Sequence, residues 1–160
     1  MRPPFVFLEY SVKKSIMNKW TKALRSGKYK QGKYNLCSIG PRGKEKFCCL
    51  GVLTDLYLKE RKSNKKEHGI ANFEIYDKKD YGNLTTKNYM PKWSCNGQEG
   101  HLPLEVAKWA GFNIKNKYFT IGSFIDLHGK TQFLSDCNDA AKQMSFKKIA
   151  DLIENNFKNI

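Results

Sequence analysis

Residues 47–58 read Phe47-Cys48-Cys49-Leu50-Gly51-Val52-Leu53-Thr54-Asp55-Leu56-Tyr57-Leu58, the longest nearly unbroken apolar run in the chain, with Asp55 its only carboxylate. At helical spacing Cys49, Leu53, Leu56 and Tyr57 form one apolar stripe that runs on to Glu60. Gly51 carries no side chain and lets another backbone come close to that helix. Phe47 and Cys48 read as the end of a strand feeding it. The run is the expected centre of the core. Asp55 inside it has to cap a backbone group, pair with a base or face a pocket, because an unpaired buried carboxylate is costly.

Working outward, Tyr34–Ser38 with Ile39, and Glu45 to Cys48, read as paired strands around the turn Gly40-Pro41-Arg42-Gly43-Lys44, whose glycines and proline punctuate a hairpin. Its Arg42, Lys44 and Lys46 suit phosphate, and equally suit a solvated hairpin tip. Upstream, Asn18 to Ser26 reads as a helix with Trp20, Ala23 and Leu24 on one face and Gly27 at its left-handed end. Downstream, Arg61–Lys66 is a basic loop, Ile70–Tyr76 alternates like a half-buried strand, and Asp77–Lys92 is irregular. Leu102–Gly111 is a helix with proline in its first turn and glycine after its end, Trp109 filling the core beside Val106 and Leu102. Tyr118–Leu127 and Lys130–Leu134 form a second hairpin around His128-Gly129. Ser135–Asp139 reads as a polar loop. Ser145 caps an amphipathic helix whose stripe is Phe146, Ile149, Ala150, Ile153 and Phe157. These elements predict an α+β fold, a single small domain with short β-hairpins packed against about four helices. The domain is expected over residues 17–160, with residues 1–16 as a flexible or non-native extension ahead of Met17.

A chain of 160 residues with 40% hydrophobic content suits one core. Its five cysteines have no regular spacing, and two are adjacent in the apolar run, which points to reduced thiols in a cytoplasmic protein. No apolar segment is long enough for a membrane span. The net charge of +14 attracts anionic partners, although 25 lysines against 4 arginines, with abundant asparagine, is also what AT-rich coding produces. Against a metal centre stands the lack of any C-x₂-C pair or helically spaced histidine pair among Cys37, Cys48, Cys49, Cys95, Cys137, His68, His101 and His128. No P-loop or G-x-G-x-x-G is present, so no metal and no cofactor is expected. Cys95 or Cys137 with His101 or His128 would make a nucleophile and base, but nothing in the sequence places them together. Carboxylate chemistry would draw on Asp136 and Asp139, with Asp55 and Asp126 further off, although Asp and Asn ahead of a helix ordinarily satisfy turn and cap hydrogen bonds.

One segment has the composition of a nucleotide site. Lys28-Tyr29-Lys30-Gln31-Gly32-Lys33-Tyr34 interleaves lysines, which hold phosphates, with tyrosines, which stack on bases.

Taken together, the separated motifs resemble a family of small phage and prophage proteins. They are Trp20-Thr21-Lys22-Ala23-Leu24-Arg25-Ser26-Gly27-Lys28-Tyr29-Lys30-Gln31, the Phe47–Leu56 stretch, Leu102-Pro103 through Trp109-Ala110-Gly111, and Asn138-Asp139 leading to Ser145–Glu154. Between Asn138-Asp139 and Ser145, where the family more often has a single glycine, this chain has Ala140-Ala141-Lys142-Gln143-Met144. The resemblance implies a role in the cytoplasm of an infected host cell. By analogy with other small phage proteins, it suggests counter-defence by sequestering, without cleaving, a nucleotide-type immune signal such as a cyclic oligonucleotide or a cyclic ADP-ribose derivative. In that reading Arg25, Lys28 and Lys30 contact phosphate, Tyr29 or Tyr34 stacks on a base, and Gln31, Asn138 and Asp139 read polar edges. The protein is then no enzyme, its partner is a small nucleotide, no membrane is involved, and a homo-oligomer is compatible with it. The alternatives are a basic protein that binds nucleic acid or inhibits a host protein, and a nucleotide-degrading enzyme using aspartates.

Overall fold

The structure is a computed structural model and describes residues 12–39, 41–62, 92–93, 100–112, 123–125 and 131–156. The elements in chain order are α1 (Lys14–Arg25), β1 (Cys37–Ile39), a 3-10 turn (Pro41–Gly43), β2 (Glu45–Phe47), α2 (Cys49–Glu60), β3 (Lys92–Trp93), α3 (Leu104–Ala110), β4 (Ser123–Ile125), β5 (Thr131–Phe133), α4 (Leu134–Asp139) and α5 (Phe146–Asn156). The fold is α+β. A three-stranded antiparallel sheet has the order β2-β1-β3, and β4 and β5 form a separate hairpin.

Helix α2 is the hub, as residues 47–58 lead one to expect. Its N-cap is Cys48, whose sulfur accepts a hydrogen bond from the Gly51 amide. Every α2 residue from Cys49 to Leu58 is buried except the half-buried Leu56. The Thr54 hydroxyl in that stretch donates to the Leu50 carbonyl at 2.9 Å and so is not left unsatisfied in the core. Gly51 meets the backbone of Leu36, just before β1, so closely that a Cβ there would overlap the Leu36 carbonyl oxygen. Helix α1 lies across α2 with Trp20 fully buried and its indole N–H donating to the Cys49 carbonyl at 3.0 Å. Helix α5 packs on α1 through Phe146, Ile149, Ala150 and Ile153, and its first turn is capped by Ser145, whose hydroxyl accepts from the Lys148 amide. Phe157, expected on the same stripe, lies outside the described residues.

The structure differs from the sequence expectation at the start of α1, at Ser135–Asp139 and at Trp109. Helix α1 begins at Lys14 instead of Asn18, and the residues at its start belong to the fold. Val12 and Ile16 are in the core, and the Lys13 amide donates to the Ala110 carbonyl at the end of α3. The packed unit therefore includes residues 12–16, not only those from Met17. Ser135–Asp139 is the body of α4 and not a loop, because Leu134 and Asn138, four apart, turn inward together and are fully buried. Trp109 is only half-buried: its ring meets Tyr57 edge-on and its indole N–H donates to Glu60 at 3.0 Å. The loop and strand expected over residues 63–91 lie outside the described residues.

Candidate functional site

The segment after α1 decides the site. Gly27 takes φ +71° and turns the chain off the helix. Residues 30–32 then run beside β2, the Lys30 carbonyl accepting from the Phe47 amide at 2.8 Å and the Gly32 amide donating to the Phe47 carbonyl at 2.7 Å. This fixes Tyr29 against Phe47, ring centroids 5.2 Å apart and nearly perpendicular.

A cleft of about 550 Å³ opens where α1, β2 and α2 meet. Lys19, Lys22, Ala23 and Ser26 line it from α1 and the residue after it, spaced as one helical stripe, and Asp55, Leu56 and Lys59 line it from α2. Glu45 and Phe47, two apart and so on one face of β2, form the third wall, and Lys28 and Tyr29 complete it. The volume falls in the range of small-molecule sites. Ala23, Phe47 and Leu56 give it an apolar lining, and its charge is four lysines against two carboxylates.

Within the cleft, Tyr29 donates to Asp55 Oδ2 at 2.6 Å and accepts from Lys59 at 3.1 Å, while Lys59 pairs with Asp55 Oδ2 at 2.6 Å. Burial, and then the hydrogen bond to Asp55, push the Tyr29 phenol above its ordinary pKa and keep it neutral. Partial burial works against the charged form of Lys59, but its hydrogen bonds to Asp55 and Tyr29 more than offset this and raise its pKa. Asp55, the oddity of the apolar run, both pairs with a base and faces a pocket. Lys19 is paired with Glu60 at 2.7 Å. Lys22 and Lys28 have exposed ammonium groups with no carboxylate partner among the described residues.

The residues singled out from the sequence fall in five places. Lys28 and Tyr29 are in the cleft. Lys30 is exposed beside β2 and is not part of the cleft lining. Arg25 is held by α5, donating to Glu154 at 2.6 and 2.8 Å and to Asp151 at 2.6 Å. Those bonds raise its pKa and hold the Glu154 carboxyl below its ordinary value. Gln31 and Asn138 form a polar network that ties residues 31–32 to the α4–α5 connection. Gln31 donates to Asn138 Oδ1 and the Met144 carbonyl and accepts from the Phe146 amide at the start of α5, and the buried Asn138 donates to the Gly32 carbonyl. Tyr34 and Asp139 border a second cavity of about 240 Å³ together with His101, Ser135 and Asp136. There Asp139 accepts from the Tyr34 amide at 2.9 Å and so holds Tyr34 at φ +65° with its side chain exposed.

The aspartates of the enzyme alternative are thus divided, Asp136 and Asp139 at the second cavity and Asp55 in the cleft. Among the described residues no group of histidines, cysteines and carboxylates could hold a metal ion. Burial pushes the Cys48 thiol up to about 11, and the Cys49 and Cys137 thiols also above their ordinary value, so none is set up as a thiolate nucleophile. Cys95 lies outside the described residues. No helix among the described residues is long and apolar enough to cross a membrane. Reading along the sequence did not single out Lys19, Lys22, Glu45 or Lys59 for this site, because they come from three separate elements. The signal that could have found them was Asp55, with Lys59 one helical turn on.

Fold and cleft together define a small α+β protein with a cationic, aromatic-walled pocket built around its central helix. The chain belongs to the family described as a domain of unknown function (DUF8296), whose profile matches residues 12–157. No curated protein matches the chain, and no solved structure does.

Proposed function

We propose that the protein binds an anionic, nucleotide-type small molecule in the α1–β2–α2 cleft and holds it without cleaving it. The observation that carries this reading is the presence of Lys22 and Lys28, without carboxylate partners among the described residues, in one cleft with the half-buried Tyr29 ring and an apolar lining. Ammonium groups without partners attract phosphate, and an apolar, aromatic wall takes the face of a base. Absence of turnover is part of the proposal: of the two carboxylates in the cleft, Asp55 is bound to a phenol and an ammonium group and is not presented as a free base, and Glu45 is itself engaged. The resemblance to phage and prophage proteins supports the biological setting, which is sequestration of a nucleotide immune signal in the cytoplasm of an infected cell.

The test is a thermal-shift titration with cyclic dinucleotides, cyclic trinucleotides and ADP-ribose derivatives, comparing the wild-type chain with a Lys22→Glu/Lys28→Glu variant. A ligand at 100 times its Kd stabilises the wild type by about 2.7 kcal/mol. The variant keeps the unliganded Tm, because both side chains are at the surface, and loses that shift. An undiminished shift in the variant removes this cleft as the site.

A further inference from the structure

Asp55 presents only one of its two oxygens to the protein. Oδ2 receives both the Tyr29 hydroxyl and the Lys59 ammonium, whereas Oδ1 accepts no hydrogen bond among the described residues. The side chain is only 10% exposed, and it lines the cleft. A buried acceptor without a donor is costly, and an ionised carboxylate can only accept. Oδ1 is therefore open to an N–H or O–H group in the cleft, water in the free protein and a donor of the ligand in the complex. A fully ionised phosphate cannot serve, since it brings negative charge and no donor, and Lys22 and Lys28 offer it a better place.

We propose that Asp55 is the specificity residue of the cleft, accepting through Oδ1 a hydrogen bond from the nucleoside part of the ligand while the lysines hold its phosphate. This rests on the nucleotide-binding reading and narrows it to ligands with a donor in the nucleoside, either the ribose 2′-hydroxyl or a purine amino group. Lys59 and Tyr29 hold the carboxylate through Oδ2 and leave Oδ1 without a protein donor among the described residues. The protein uses both oxygens of one side chain, one to join the 26–29 segment to α2 and the other to read the ligand.

The experiment is calorimetric titration of the full chain with GMP, 2′-deoxy-GMP, IMP, AMP and purine riboside monophosphate at one pH and ionic strength. Loss of a hydrogen bond to a buried charged acceptor weakens binding about 10- to 100-fold. A drop of that size for the deoxy ligand names the ribose hydroxyl as the donor. A drop from GMP to IMP, or from AMP to its desamino analogue, names the amino group. In Asp55→Asn the same difference shrinks to less than about threefold, with folding checked from the unliganded Tm; if that variant does not fold, the wild-type series decides alone. Equal affinities across the series, or a difference that persists undiminished in a folded Asp55→Asn, overturn the role of Asp55 and leave the binding reading standing. If no monophosphate in the series binds, this inference falls, and the binding reading falls with it when the cyclic nucleotides and ADP-ribose derivatives also fail to bind.

Discussion

Gly51→Ala tests the central packing of the fold. In an isolated helix the change would stabilise, since alanine exceeds glycine by about 1 kcal/mol in a helix interior. Here the new methyl group would lie within 3.0 Å of three backbone atoms of Leu36, including the carbonyl oxygen and carbon. A flexible side chain could move aside, but this obstruction is main chain, at the entry to a strand paired on both sides. Overpacking costs about 1–3 kcal/mol and more where the obstruction cannot yield, so the clash exceeds the helix gain. The net expectation is a loss of about 2 kcal/mol, or a Tm lowered by roughly 4–8 °C in a chain of this size. Thermal unfolding followed by circular dichroism measures it. A Tm equal to or above that of the wild type would refute the close approach of α2 and the Leu36 backbone.

Arg25→Ala removes the ion pairs between α1 and α5 and costs about 1 kcal/mol, the scale of a partly exposed bidentate pair. Glu154 has its pKa lowered chiefly by Arg25, so its contribution is present above the ordinary glutamate range and is lost as pH falls through the depressed folded value. Arg25→Ala should therefore lose less stability than the wild type between neutral pH and pH 3, and parallel acid denaturation curves would contradict this. At the other end, Tyr29 has a raised pKa, so its contribution is complete below the ordinary tyrosine value of 10.0 and is lost as pH rises through the higher folded value. Tyr29→Phe should flatten the decline in Tm above pH 10, and an unchanged alkaline slope would show that the phenol is not held as described. Cys48 and Cys49 should resist alkylation at pH 7.5 in the native protein and react rapidly in denaturant, as mapped by mass spectrometry; rapid native labelling of either would contradict their burial.

The local parts of the fold were legible in the sequence. The Gly-Pro turn announced the β1–β2 hairpin, the Phe146–Ile153 stripe announced α5, and Gly51 announced a close backbone contact. What the sequence concealed was set by distant partners. Ser135–Asp139 has the composition of a turn and becomes helical because Leu134 and Asn138 are both drawn inward. Arg25, Gln31 and Asn138 look like ligand-binding residues, but their partners lie more than 100 positions away, where no local pattern reaches. Lys28 and Tyr29 could be read from the basic and aromatic run. The opposite walls of the cleft could not, because a site assembled from one helix stripe, one strand face and one turn of α2 has no contiguous signature.

The central claim is that this cleft captures a nucleotide and releases it unchanged. The most direct measurement is equilibrium titration of the full chain with the nucleotide panel at low and moderate salt, followed by heat release and mass spectrometry of the bound molecule. The account predicts saturable binding with a shallow salt dependence, since only a few charges are engaged, and recovery of the intact ligand. A chemically altered nucleotide, or affinity only for nucleic acid with a steep salt dependence, would contradict it.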